Sequence, residues 1–389
     1  MSLSVWHYPT AMVTGEGALS TLPDACLNLG MRNPLLVTDP GIAALSMTQT
    51  AINLCTNAGL EVALFSHVQG NPTGQNVEDG NAVFVEGQHD GVIALGGGSA
   101  LDCAKAIALS ACQSHPLWDF EDVGDNWLRA NPDAIAPIIA IPTTAGTGSE
   151  VGRASVITHE SQKRKVIIFH PNMVPKHVIL DPELTLELPA SITAATGMDA
   201  LSHNLEALCS PSFHPMAEGI AIEGIRLVKE YLPTAFKHGN DCDARMQLLV
   251  ASSMGATAFQ KGLGAMHALA HTLGALYNSH HGLLNAILMP YVLNANRNEI
   301  EEKMGRLSNY LGLERKGTGT DTVLAWVIEL REELGIPHQL SEIGISVEDA
   351  ALVGQMSVKD PSAGGNPIAL SAEEYSLLFM NAVNGNYLS

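Results

Sequence analysis

Basic side chains are scarce in this sequence: 20 Lys and Arg stand against 40 Asp and Glu, a formal net charge of −20. A chain this acidic is repelled by nucleic acid and by anionic membranes, so small molecules and further copies of itself are the expected partners. Cysteine is sparse too. The six at positions 26, 55, 103, 112, 209 and 242 form no C-x-x-C pair and no short secreted framework, which argues against a zinc knuckle or a disulfide scaffold and for a reducing cytoplasm. Long apolar runs are missing as well. No segment keeps the roughly 18 apolar residues of a membrane span, and MSLSVWHYPTAMVTGEGAL lacks the basic start and apolar core of an export signal.

What is abundant is hydrophobic side chain, 46% of 389 residues, with 36 glycines, enough for two ordinary cores. Along the first 185 residues short β-branched runs alternate with helical patterns. NPLLVTDPG (33–41), EVALFSHV (61–68), DGVIALGGGS (90–99) and APIIAIPTTAGTGSE (136–150) read as strands leaving into loops. AALSMTQTAINLCTNAG (43–59) and LDCAKAIALSA (101–111) read as helices. Such alternation predicts a Rossmann-like parallel α/β domain over 1–185, with ligands at the carboxyl ends of its strands. From residue 191 the apolar residues recur at helical spacing, as in MDALSHNLEALC, which predicts an all-helical domain over 186–389.

Two loops of the first domain suit a nucleotide. The strand ending in GGGS runs at once into a helix carrying Asp102 and Lys105, so unencumbered amides and a helix N-terminus are on offer to a phosphate. The spacing is not the G-x-G-x-x-G fingerprint, because Leu101 occupies the third glycine position, and a plain strand-to-helix turn is the alternative. PTTAGTGSE (142–150) repeats the arrangement with more hydroxyls. Asp39, closing the strand LLVTD, stands where a carboxylate accepts ribose hydroxyls and repels a 2′-phosphate, favouring NAD over NADP; otherwise it is a turn aspartate.

The helical domain concentrates imidazoles: HALAHTLGALYNSHHG (267–282) holds four histidines in sixteen residues. His267 and His271 are spaced i, i+4, as are Asp199 and His203 in GMDALSHNLEAL, so each pair shares a helix face. His280 and His281 follow a turn-like break. One carboxylate and several imidazoles form a mixed O/N set suited to Fe²⁺, Zn²⁺ or a similar ion, whereas His7, His89, His159 and His238 have no such neighbours.

Taken in order, GGGSALDCAK (96–105), PTTAGTGSEV (142–151), RKVIIFHPNMVPKHVILDPELT (164–185), GMDALSHNLEA (197–207) and GLGAMHALAHTLGALYNSHHGLLNAILMPY (262–291) resemble the iron-containing alcohol dehydrogenases across essentially the whole chain. That resemblance implies a dinucleotide-binding first domain, a metal-binding second domain and an active site in the cleft between them. It implies Asp199, His203, His267 and His281 as ligands of one divalent metal, iron before zinc, with His271 beside the nicotinamide and substrate. The cofactor positions it implies are Asp39, Asn71, Gly97, Gly98, Ser99, Asp102, Thr143, Thr144, Thr147 and Lys165. A small alcohol or aldehyde is the implied substrate, and a homodimer the implied assembly.

Two cations depart from the pattern. Arg153 follows the GSEV element and Lys261 precedes His267, so a hydroxy acid or semialdehyde is a candidate substrate if either faces the pocket, against ordinary ion pairing in an acidic protein. Competing functions are a glycerol dehydrogenase or dehydroquinate synthase with the same two-domain plan, a metal-dependent hydrolase that would leave both glycine loops idle, and a non-catalytic binder.

Overall fold

A computed structural model describes residues 8, 10–162 and 164–387 of the chain; His7 lies outside the described residues. The chain divides into two compact units, one over Tyr8–Glu187 and one over Leu188–Ser389.

The first unit is built on a six-stranded parallel sheet. Its strands are β1 (Ala11–Thr14), β2 (Pro34–Val37), β3 (Ala63–Phe65), β4 (Gly91–Gly96), β5 (Ile138–Pro142) and β8 (His177–Leu180), in the order β1-β8-β5-β4-β2-β3. Strands β2, β4 and β5 are buried along their whole length, as expected where both sheet faces are covered. On one face Leu36, Ile93, Leu95, Ile139, Ile141 and Ile179 share a core with helices α1 (Leu22–Asn28) and α3 (Ser46–Asn57). The opposite face is served by α4 (Gly74–Glu86) and α5 (Gly98–Ser110), which pack closely enough that Gly80 lies against Ile107. The four-residue α2 (Pro40–Ala43) follows β2.

Chain order reverses between β2 and β4: one neighbour of this pair leads outward to β3, the other to β5. The carboxyl ends of β2 and β4 therefore flank a topological switch point, the place where open α/β sheets bind ligands. A separate antiparallel hairpin, β6 (Ala154–His159) with β7 (Arg164–Phe169), was not legible in the sequence. The helix after GGGS also starts earlier than the pattern suggests, at Gly98 rather than Leu101.

The second unit contains no strand among its described residues. Its helices are α6 (Ala190–Cys209), α7 (Pro215–Lys237), α8 (Cys242–Ala258), α9 (Ala265–Tyr277), α10 (His281–Ala295), α11 (Arg297–Tyr310), α12 (Gly319–Glu333), α13 (Ala350–Ser357) and α14 (Ala372–Asn384). Helix α6 is the hub, packed by α7, α8 and α10. Gly282, in the first turn of α10, makes the α6 crossing possible: a Cβ there would lie 2.4 Å from the Ala195 carbonyl oxygen. None of the described helices is long and apolar enough to cross a membrane. All six cysteines are free thiols.

Candidate metal centre and glycine loops

Of the two i, i+4 pairs, Asp199 and His203 bring both members to one cluster, and His267 joins it without His271. Asp199 and His203 project from one face of α6, His267 from α9 and His281 from the start of α10, and one ligand atom from each lies within 4.8 Å of all the others. His281 opens a helix rather than sitting in a turn, because Asn278 takes the left-handed conformation that ends α9 and His280 caps α10 through Nδ1, accepting from the Leu283 amide at 3.4 Å. His280, left over in the sequence pattern, thus has a structural task.

The donor set fits a divalent cation. Asp199, His203 and His267 are buried, the His203 and His267 rings stack at 4.6 Å, and His281 Nε2 lies 3.7 Å from Asp199 Oδ1. A carboxylate and three imidazoles gathered in a low-dielectric pocket are the O/N ligands that iron and zinc take. Two side chains around them escaped sequence reasoning. Asn285 donates from Nδ2 to Asp199 Oδ1 at 2.8 Å and stands 3.2 Å from Nε2 of both His267 and His281. Glu206 receives His267 Nδ1 at 2.7 Å. Both were detectable in principle: Glu206 continues the face of Asp199 and His203 by one turn, and Asn285 lies four residues after His281. Burial alone would pull the His267 imidazole down, but the carboxylates of Glu206, Asp199 and Asp360 hold it above its ordinary value.

His271 is one turn beyond His267 on α9, stacked on His281 with ring centroids 5.3 Å apart. Its Nδ1 lies 3.0 Å from Oδ2 of Asp360, whose Oδ1 accepts the Ser362 amide at 2.8 Å. Burial works against the Asp360 carboxylate, yet His271 and the Ser362 amide keep it below the usual range. No local signal marked Asp360, which lies 89 positions away in sequence.

In the α/β unit the glycine loops meet. A Cβ on Gly98 would stand 2.4 Å from Thr147 Cγ2, and one on Gly97 3.4 Å from Thr144 Oγ1. Gly97 offers α5 no side-chain cap, so the first amides of that helix are available to an anion. Ser99 Oγ donates to the Gly70 carbonyl at 2.6 Å, which brings the segment of Asn71 alongside. Lys165 pairs with Thr158 in the hairpin, and the Thr158 amide donates to Pro72, next to Asn71, at 2.7 Å. Asp39 uses Oδ1 to cap α2, at 2.8 Å from Gly41 N and 3.0 Å from Ile42 N, while Oδ2 faces Gly96. The hydroxyls of Thr38, after β2, and Thr143, after β5, are buried without a hydrogen-bond partner among the described residues, which fits a polar ligand at these strand ends.

Asp102 takes part in an internal network. It accepts Ser149 Oγ at 2.5 Å and the Val156 amide at 2.9 Å, and it pairs with the buried Lys105 at 3.2 Å. Its carboxylate ties the second loop to α5. Arg153 lies with its guanidinium 5.7 Å from the centroid of the Phe169 ring, and burial pulls its pKa down against the opposing charge of Asp122. Lys261 does not present its charge to solvent at all. Its fully buried ammonium donates to the carbonyls of Ala207 (3.0 Å), Leu208 (3.1 Å) and Ser210 (2.5 Å) at the end of α6 and contacts Glu218 at 3.0 Å. All of its protons are spent, so the geometry gives Lys261 the ion-pairing task rather than an opening toward a substrate anion.

Comparison with known proteins agrees with this geometry. The model of the iron-containing alcohol dehydrogenase family matches residues 9–182, and that of the family's C-terminal domain matches residues 193–383; the chain belongs to the iron-containing alcohol dehydrogenases. It is an oxidoreductase of a class that works with NAD(H) and iron. Among relatives, 4-hydroxybutyrate dehydrogenase of Cupriavidus necator is 39% identical over 95% of this chain and 97% of its own length. A solved 1,3-propanediol oxidoreductase superposes with a TM-score of 0.92 at 34% identity, covering 97% of this chain and all of that one. Sulfoacetaldehyde reductase of Bifidobacterium kashiwanohense, solved in complex with NAD+, gives 0.88 at 26% identity, covering 98% and 99%. The family resemblance and the two-part α/β and helical architecture read from the sequence are borne out, and the glycerol dehydrogenase, dehydroquinate synthase and non-catalytic readings are not favoured.

Proposed function

We propose that the chain interconverts a small alcohol and its aldehyde with NAD, using one divalent metal held by Asp199, His203, His267 and His281. The convergence of these four ligand atoms within 4.8 Å is the observation that carries this reading. A cation there supplies Lewis acidity that polarises the reacting oxygen, and the nicotinamide gives or takes the hydride. The protein's own residues do the rest. With Nδ1 bonded to Asp360, His271 keeps Nε2 as the atom that accepts or returns a proton, an exchange suited to imidazole near neutral pH. In the α/β unit, the amides of Gly97, Gly98 and Ser99 would receive the pyrophosphate, with Asn71, Thr143, Thr144, Thr147 and Lys165 around the remainder. Asp39 Oδ2 would accept ribose hydroxyls, and its charge disfavours NADP. Asp102 would act by holding the second loop in place.

Substrate chemistry turns on Arg153. A 4-hydroxybutyrate dehydrogenase among the relatives keeps carboxylated aldehydes among the candidates, and with Lys261 committed to α6, Arg153 is the cation left to receive such a group. The family resemblance supports a homodimer, and the six unpaired cysteines support a cytoplasmic setting. The test is NADH oxidation by metal-stripped protein before and after anaerobic Fe²⁺ or Zn²⁺, against neutral and carboxylated aldehydes of equal size. Activity restored by metal supports the reading; bound NADH with no aldehyde reduced under either metal refutes it. Arg153→Ala should raise KM selectively for carboxylated aldehydes, and equal losses on both classes would remove Arg153 from the substrate site.

A further inference from the structure

One buried carboxylate has no part in that scheme. Glu206, on the α6 face of Asp199 and His203, is 7% exposed at its side chain, and three donors converge on it. Oε2 accepts the Gly264 amide at 2.8 Å and lies 2.7 Å from His267 Nδ1, while Oε1 accepts the Met266 amide at 2.8 Å. The two amides belong to the start of α9, whose N-cap residue Gly264 provides no side-chain cap. They can only donate. On the other edge of the His267 ring, Nε2 faces the Asn285 amide nitrogen at 3.2 Å. The same Asn285 nitrogen donates to Asp199 Oδ1 at 2.8 Å, which fixes the orientation of its amide. The second hydrogen of that nitrogen is shared between Nε2 of His267 and of His281, each 3.2 Å away, so the tautomer of His267 is selected by the Glu206 carboxylate: an acceptor at Nδ1 places the proton there and leaves Nε2 as the lone-pair nitrogen.

We propose that Glu206 is a positioning residue of the metal centre: it anchors the first turn of α9 and holds the proton of His267 on Nδ1, so that the Nε2 lone pair points at the ligand cluster. This rests on the reading of His267 as a ligand. A glutamine cannot do the same work, because in either orientation of its amide the NH₂ group confronts the N–H of Gly264 or Met266. Such outer carboxylates fix ring orientation and raise ligand basicity.

The test measures metal binding to the full-length protein rather than turnover. Glu206→Gln should weaken Zn²⁺ affinity, measured by competition with a chelator, about 10- to 100-fold and alter the visible spectrum of the Co²⁺-loaded protein. NADH affinity should stay within about twofold, because the glycine loops belong to the other unit. A folded Glu206→Gln variant with wild-type Zn²⁺ affinity and an unchanged Co²⁺ spectrum overturns the proposal and reduces Glu206 to a helix cap. If the variant does not fold, ¹⁵N-imidazole spectra of the zinc-loaded wild type decide: a protonated Nδ1 and metal-bound Nε2 at His267 support it, and the reverse overturns it. Wild-type protein that binds no metal would instead refute the proposed function, so the two failures are told apart.

Discussion

Replacing Lys261 by methionine tests whether this buried cation serves catalysis or architecture. The ammonium clasps the carbonyl end of α6 and contacts Glu218, with its side chain fully buried. Removing one partner of a buried ion pair costs about 3–5 kcal/mol when the other charge is left stranded. Here the stranding is partial. Lys303 also donates to the Leu208 and Ser210 carbonyls and lies 3.5 Å from Glu218, so only the Ala207 carbonyl loses its side-chain donor outright. One orphaned buried acceptor plus a weakened charged bond gives an expected loss of about 2–3 kcal/mol. For a unit of this size the thermal midpoint should fall by about 4–12 °C. The assay is thermal unfolding followed by circular dichroism on metal-loaded protein, with kinetics on a neutral and a carboxylated aldehyde below the transition. An unchanged midpoint together with a KM rise confined to the carboxylated aldehyde would refute the reasoning and return Lys261 to the substrate site.

Burial pushes the Lys261 ammonium down from 10.5 to about 8. Between these values the unfolded chain binds more protons than the fold, so the stability of wild type relative to Lys261→Met should increase as pH rises from about 8 to 10.5 in denaturant titrations, and a decrease would show the sign to be wrong. Gly98→Ala, whose Cβ would meet Thr147 at 2.4 Å, should weaken NADH binding at least tenfold by fluorescence titration while leaving Zn²⁺ affinity within about twofold. Gly282→Ala should do the converse, because its Cβ would press on the Ala195 carbonyl at 2.4 Å and lift His281 away from Asp199; wild-type Zn²⁺ affinity would show that α10 can shift without loss.

What the sequence revealed depended on how local the physics was. The central strands were legible because burial on both faces leaves continuous apolar runs, PLLV, GVIALG and IIAIP. The hairpin of ASVITH and RKVIIF was not, since much of its surface is only half-buried and the hydrophobic alternation is diluted. Asp199 with His203 announced a shared face through a spacing of four, yet nothing local could tell that His267 and His281 would reach the same point. Asp360 is joined to His271 by tertiary packing alone. Lys261 and Asp102 also bond to backbone carbonyls, amides and a serine hydroxyl lying about 50 positions away, partners that sequence pattern cannot see.

Because its members arrive on three different helices, the ligand cluster does not exist until α6, α9 and α10 have packed. A nascent or unfolded chain offers a cation at best the Asp199–His203 pair or the His267–His271 pair, each a weak chelate. In the proposed function, metal capture would therefore follow folding of the helical unit and then act as a latch: at a free metal concentration a hundred times the dissociation constant, it would deepen the folded state by about 2.7 kcal/mol. The supply of that metal would then set how long each molecule stays folded as well as how fast it turns over.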